Sequence, residues 1–281
     1  MDIIDTIPAM QAQAKRWQAA GETIALVPTM GFLHEGHSSL IRIASREADR
    51  VVVSIFVNPT QFGPNEDLDV YPRDMRRDLL TCEAHGADLV FAPSNDAVYL
   101  PDSSTWVNEE QLSLGLCGGT RPGHFRGVTT IVAKLFLAVL PDVAVFGQKD
   151  AQQSAVLQRM VRDLNFPIRL IIGPIVREPD GLAMSSRNAY LSADERQRAL
   201  ALNRGLRSSQ TALAGGTREA DTLVAALIAK IAKSGGRLDY VSCVDAETLA
   251  PISGQIERPA LLAVAAFYGR TRLIDNCRLQ P

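Results

Sequence analysis

Cysteine is scarce and scattered in this chain of 281 residues: Cys82, Cys117, Cys243 and Cys277 stand singly, and no CxxC pair occurs. That argues against a zinc ribbon, a redox dithiol and a disulfide framework, and predicts reduced thiols buried as small apolar side chains. Long apolar runs are also lacking. Ile131–Leu140 is too short to span a bilayer and is interrupted by Lys134. The start, Met1-Asp2-Ile3-Ile4-Asp5, is acidic and has no signal-peptide pattern, so a cytoplasmic protein without a membrane partner is expected. Neither sign of charge dominates: 29 basic residues face 31 acidic ones, and no basic excess points to nucleic acid. GxxxxGK[ST] and GxGxxG are both missing, which removes a Walker loop and a dinucleotide fingerprint. Hydrophobic residues make up 46% of the chain, enough for a sizeable core in one large or two smaller domains.

The first half alternates short β-type runs with helical spacing. Strands are expected at Ile24–Thr29, Val51–Val57, Asp88–Ala92, Val143–Phe146 and Ile168–Ile172. Their polarity is continuous rather than alternating, as in strands buried on both faces. Val128, Ile131, Val132, Leu135, Phe136 and Val139 follow helical spacing, and Arg73–Ala84 reads as a charged helix stopping near Gly86. The βαβα pattern predicts an α/β fold, a Rossmann-like doubly wound parallel sheet with helices on both faces, over residues 1–175. From 176 to 281 helical patterns at Ala193–Ala214 and Glu219–Ser234 precede β-type runs at Leu238–Asp245, Leu261–Tyr268 and Arg272–Leu279, the last two joined at Gly269-Arg270-Thr271. This predicts a smaller C-terminal α+β domain with an antiparallel hairpin. Two long polar loops, Gly63–Pro72 and Pro101–Gly127, interrupt the pattern and mark functional segments.

Ligands of such sheets bind beyond the carboxyl ends of the strands, where the noteworthy residues fall. His34-Glu35-Gly36-His37 follows the first strongly apolar strand and opens a helix. A helix N-terminus with two imidazoles suits phosphate. A zinc site and two capping histidines are the competing readings; His85 and His124, the other two histidines, form no ligand-like cluster with the pair. Lys149, between Gln148 and Asp150, is a charge at a strand end, able to neutralise phosphate or simply to pair with Asp150. Met184-Ser185-Ser186-Arg187 offers hydroxyls and a guanidinium for a polyphosphate, or an ordinary Ser cap. Gln61 and Gln153 are neutral amides that suit hydroxyl and carboxylate groups. Arg121–Gly127 reads as a lid, a second anion contact or a brace for the helix that follows.

Taken in order, Pro28–His37, Phe56–Phe62, Phe146–Asp150 and Arg177–Asn188 resemble the pantoate–β-alanine ligase family, within the nucleotidyltransferase superfamily that carries the HxGH signature. Phe32 and Ser38 stand where that family has smaller or aliphatic residues. The resemblance implies a cytoplasmic homodimer that makes pantoyl adenylate from pantoate and ATP, then amidates it with β-alanine. It implies His37, His34 and Lys149 as catalytic groups, with His37 a proton donor. It implies an ATP site of Met30, Gly31, Phe32, Leu33, His34, Glu35, Gly36, His37, Gly147, Gln148, Lys149, Asp150, Val176, Met184, Ser185, Ser186 and Arg187. It further implies that Gln61 and Gln153 hold pantoate, that the C-terminal domain acts as a lid, and that Mg²⁺ accompanies ATP, bound chiefly by phosphates and water rather than by protein ligands. A nucleotidyltransferase acting on another small acid or a phosphorylated acceptor is the alternative, and a non-catalytic nucleotide sensor a third reading.

Overall fold

The computed structural model describes residues 1–64 and 66–281; Asn65, within the loop expected over Gly63–Pro72, lies outside the described residues. Along the chain run β1 (Asp2–Ile4), α1 (Ile7–Ala19), β2 (Ile24–Thr29), α2 (Glu35–Glu47), β3 (Arg50–Ile55), α3 (Met75–Ala84), β4 (Leu89–Phe91), α4 (Asn95–Val98), α5 (Leu116–Thr120), α6 (His124–Val139), β5 (Val143–Gly147), α7 (Ala151–Asp163) and β6 (Arg169–Gly173). Then follow α8 (Ala193–Ala199), α9 (Ala201–Ala214), α10 (Ala220–Lys233), β7 (Arg237–Asp245), β8 (Ala260–Tyr268) and β9 (Thr271–Leu279).

The chain divides into two compact units. The first comprises Met1–Glu110, Arg121–Gln148 and Val156–Pro174; the second comprises Gln111–Thr120, Lys149–Ala155 and Ile175–Pro281. Chain N-terminal to residue 176 therefore contributes to both.

The first unit holds six parallel strands in the order β1-β4-β3-β2-β5-β6. From β2 the chain steps outward through β3 to β4, then returns to the other side of β2 for β5 and β6. Right-handed crossovers taken in opposite directions put helices on opposite faces. On one face Ala25, Val27, Val51, Val53, Val90, Val143 and Val145 pack with Leu40, Ile41 and Ala44 of α2 and Cys82 of α3. The alternate side chains Ile24, Leu26, Val52, Leu89 and Phe91 are buried as well, with α1 and α6 against β2. Both faces of β2 are thus covered, which is why its run is apolar without alternation. The order reverses between β2 and β5, and their carboxyl ends flank this switch point.

Strand positions follow the expected runs to within two residues. Two N-terminal elements, β1 and α1, go beyond them. β1 is a three-residue, largely exposed edge strand, too short to give an apolar pattern. The long loop before α6 also contains α5, and α6 begins at His124, earlier than its apolar spacing begins.

In the second unit β7, β8 and β9 form an antiparallel sheet. Leu202, Leu206, Leu223, Leu227 and Ile231 of α9 and α10 share a core with Leu262, Val264 and Tyr268 of β8. Gly205 lets those helices approach, since a Cβ there would lie 2.2 Å from Leu227 Cδ1. The single helix expected over Ala193–Ala214 is broken at Leu200, where ψ of −17° tightens the backbone between α8 and α9. Cys82, Cys117 and Cys243 are buried, Cys277 is half-buried, and all four are free thiols. Among the described residues no helix is long and apolar enough to cross a membrane.

Candidate active site

Three loops of the first unit leave the carboxyl edge of its sheet at or beside the switch point: Met30–His34 after β2, Phe56–Gln61 after β3, and Gly147-Gln148 at the end of β5. The first is the most constrained. Thr29 Oγ1 donates to the Ser54 carbonyl at 2.7 Å and accepts from Gly31 N at 3.2 Å. Gly31 and Phe32 then take φ of +82° and +50°, a left-handed excursion that glycine tolerates and phenylalanine resists. Arg77 lies over the Phe32 ring at 5.3 Å, and Ser38, the other departure from the family pattern, is buried in the first turns of α2.

His34 caps α2. Its Nδ1 accepts from Gly36 N at 3.1 Å, while His34 N donates to His37 Nδ1 at 3.3 Å, a reciprocal capping box built from two imidazoles. The ring centroids are 4.1 Å apart. Because both Nδ1 atoms accept main-chain N–H groups, each neutral ring carries its proton on Nε2. The capping role and a donor role therefore use different nitrogens of the same ring. The donor set here is N–H throughout, which suits an anion; a cation would have to reach it through that anion's oxygens. Among the described residues no group of three or more His, Cys, Asp or Glu is arranged to hold a metal ion.

Gln61 closes the short 3-10 turn Pro59–Gln61. Its amide donates to Met30 Sδ at 3.0 Å and accepts from Asn58 Nδ2 at 3.2 Å, so two of the expected site residues, Met30 and Gln61, meet directly. Asn58, 1% exposed, also donates to the Gly127 carbonyl at 3.1 Å and accepts from Tyr99 Oη at 2.9 Å. The Arg121–Gly127 segment is a brace. Arg121 grips Glu66 with two hydrogen bonds, donates to the Gln61 carbonyl at 3.2 Å and donates to His124 Nε2 at 3.0 Å; His124 Nδ1 donates to the same Gln61 carbonyl at 2.8 Å. Burial raises the Glu66 carboxyl, but the Arg121 hydrogen bonds and charge bring it below the usual glutamate range.

The remaining expected residues lie in the second unit. Lys149 and Asp150 end a 3-10 turn, Gln148–Asp150, and the Lys149 carbonyl accepts from Asn276 Nδ2 at 3.0 Å. Gln153 is half-buried on α7. Val176 and Met184 face each other across a small hairpin: Met184 N donates to the Val176 carbonyl at 3.0 Å, Arg177 and Ala183 form a β-bridge, and Gly181 turns the chain at φ +98°. Arg177 ties this hairpin to Asp275 through two bonds of 2.7 and 3.0 Å. Ser185 then caps the 3-10 turn Ser186–Tyr190 by accepting from Arg187 N at 3.3 Å. The cap weighed for this serine is real, and the hydroxyl and guanidinium of the next two residues follow it on a hydrogen-bonded frame.

Sequence reasoning passed over Asp78 and gave no role to Asn58 or Glu66. Asn58 falls within Phe56–Phe62, at the end of an expected strand, which is the signal it offered. Glu66 stood in the polar loop Gly63–Pro72, whose length marked the segment without revealing its partner Arg121; Asp78 lies far in sequence from what it holds and offered none.

The pantoate-beta-alanine ligase family model matches residues 2–278. A pantothenate synthetase of Geobacter sulfurreducens is 53% identical over 280 residues, covering 99% of each chain. A pantothenate synthetase structure from Thermus thermophilus superposes with a TM-score of 0.94 at 42% identity over all of both chains. A pantoate-beta-alanine ligase structure from Francisella tularensis, complexed with beta-gamma ATP and beta-alanine, gives a TM-score of 0.82 at 32% identity, covering 99% of this chain and 97% of that one. A match in sequence and fold from end to end, at these identities, means that the chain belongs to the pantoate-beta-alanine ligase family.

Proposed function

We infer that the chain condenses pantoate with β-alanine at the expense of ATP, through pantoyl adenylate, to give pantothenate, AMP and pyrophosphate. The observation that carries the reading is the imidazole capping box at the start of α2, beside the switch point of the sheet, in a chain of this family. Attack of the pantoate carboxylate on the α-phosphorus builds negative charge on the phosphate oxygens and on the departing pyrophosphate. Fixed donors aimed at that charge supply the catalysis. The capping bonds at Nδ1 support Nε2–H of His34 and His37 as those donors, each offering a hydrogen bond to the triphosphate; the resemblance alone gives His37 as a proton donor. Lys149, Ser185, Ser186 and Arg187 contact phosphates. Met30–Gly36, Gly147, Gln148, Asp150, Val176 and Met184 complete the nucleotide contacts, and Gln61 and Gln153 bind pantoate; these roles rest on the family resemblance. Mg²⁺ bound with ATP would be held by phosphate oxygens and water and would neutralise phosphate charge. The same resemblance supports a cytoplasmic homodimer and a lid role for the C-terminal domain.

The test is a reaction with ATP, Mg²⁺ and pantoate. Pantoate-dependent exchange of labelled pyrophosphate into ATP is expected without β-alanine, and AMP and pantothenate once β-alanine is added, read by mass spectrometry. Formation of ADP and phosphate would overturn the adenylate route. His37→Ala should depress the exchange by roughly two to four orders of magnitude; unchanged exchange would remove His37 from the mechanism.

A further inference from the structure

Asp78 sits in the first half of α3 and is 1% exposed, yet both its carboxylate oxygens are used. Oδ2 accepts from Phe32 N at 2.8 Å and Oδ1 from Leu33 N at 2.7 Å. These are consecutive amides of the loop that delivers the histidine pair, and they follow its two left-handed residues, Gly31 and Phe32. The fit is close: a Cβ on Gly31 would lie 3.0 Å from Asp78 Oδ2. One planar carboxylate with an oxygen for each amide fixes their relative orientation, and with it the direction in which the chain enters His34. Burial raises the Asp78 pKa above the ordinary aspartate value, against the pull of the Leu33 and Phe32 amides. A buried negative charge near a phosphate-binding turn also opposes anion binding. Neither effect favours a carboxylate here, and an apolar side chain would avoid both; only the geometry of the loop calls for it.

We propose that Asp78 is the positioning residue of the histidine pair, clamping the Phe32 and Leu33 amides so that His34 and His37 present Nε2–H to the triphosphate during adenylation. The proposal rests on the reading of His37 given above. It separates the half-reactions: the clamp serves phosphate displacement and is not needed for attack of the β-alanine amine on a preformed adenylate.

Asp78→Asn keeps size and shape but turns an amide NH₂ toward one of the two main-chain N–H groups. Pyrophosphate exchange and aminolysis of supplied pantoyl adenylate are measured on the same preparation, beside His37→Ala. For Asp78→Asn the exchange kcat should fall by roughly 10- to 100-fold, the cost of misplacing groups by an ångström or less, while aminolysis stays within about twofold of the unsubstituted protein by the same reasoning. Nitrogen-15 spectra of the imidazoles should move from the Nε2–H pattern toward mixed tautomers. Equal loss of both half-reactions with unchanged imidazole spectra would show a purely structural role and overturn the proposal. So would wild-type exchange in Asp78→Asn while His37→Ala is slow. Wild-type exchange in His37→Ala would instead sink the underlying reading. If Asp78→Asn does not fold, Asp78→Ser, smaller and still an acceptor, must show the same split between half-reactions.

Discussion

At the scale of single residues, His34 does two jobs with one ring: Nδ1 accepts the Gly36 amide and closes α2, which leaves Nε2 to carry the proton. The two jobs can be separated. Asn is a strong N-cap and its side-chain oxygen reaches the same amide, but it has nothing at the position of Nε2. His34→Asn should therefore melt within about 0.5 kcal/mol of the unsubstituted protein, yet lose pyrophosphate exchange by roughly two to three orders of magnitude, the cost of removing one preorganised donor. Parallel loss of melting temperature and exchange would tie the histidine to capping alone. The histidine pair was legible because its signal is local: two imidazoles, a glycine and a strand-to-helix junction within a few residues. The tautomers were not, since they depend on which amides the rings meet. Asp78 was hidden for a different reason. In a helix as charged as Arg73–Ala84 an aspartate reads as solvated, and only the return of the chain 45 residues earlier in sequence buries it.

Among elements, the contact that fixes Gln61 is a backbone packed against a backbone. α6 runs past the Pro59–Gln61 turn at Gly127, where an added Cβ would lie 2.4 Å from the Thr60 carbonyl oxygen and 2.8 Å from Gln61 N. The three nearest atoms are all main chain, with no side-chain end among them to give way. Gly127→Ala should cost about 1–3 kcal/mol of stability, as overpacking does, although alanine favours helix. By displacing Gln61 it should also raise KM for pantoate more than KM for ATP. Calorimetry and initial rates check both; a more stable protein with unchanged KM would show that the turn shifts freely. Helical spacing in the sequence located α6 but could not assign this glycine, because an apolar pattern records what is buried and not what passes close by. The clasp of Arg121, Glu66 and His124 escaped for the same reason: it converges on the Gln61 carbonyl, a main-chain atom that no residue type reveals.

For the molecule as a whole, five of the six parallel strands were legible, β2 and β3 because they are covered on both faces, while the short edge strand β1 was not; the antiparallel strands were legible because Gly269, at φ +60°, marks their turn. The membership of Gln111–Thr120 in the second unit was not. It depends on Gln152, whose amide donates to the Leu112 and Gly115 carbonyls at 2.8 and 2.7 Å and accepts from Cys117 N at 2.9 Å. Side-chain bonds to main chain have no period. The same kind of bond sets the response of the molecule to acid. The Thr23 amide and hydroxyl hold the Asp49 carboxyl below its ordinary value of 3.8. The amides of Thr248 and Glu247 do so for Asp245, and the Ser192 amide holds Glu195 below 4.5. A carboxyl whose folded pKa is depressed gives stability that is present above its unfolded value and lost as pH falls through the folded one. Asp78 has the opposite sign: its raised pKa means that protonation favours the folded state as pH falls. With Glu22, Glu66 and Asp180, which ion pairs and hydrogen bonds also depress, the depressed carboxyls number six among the described residues, spread over both units, against the one raised. The melting temperature should therefore fall as pH drops from about 4.5 toward 3, and Asp49→Asn should flatten part of that fall. A melting temperature that holds or rises across that window would mean that the carboxylate–amide bonds contribute nothing and that the buried charge of Asp78 governs the acid limb.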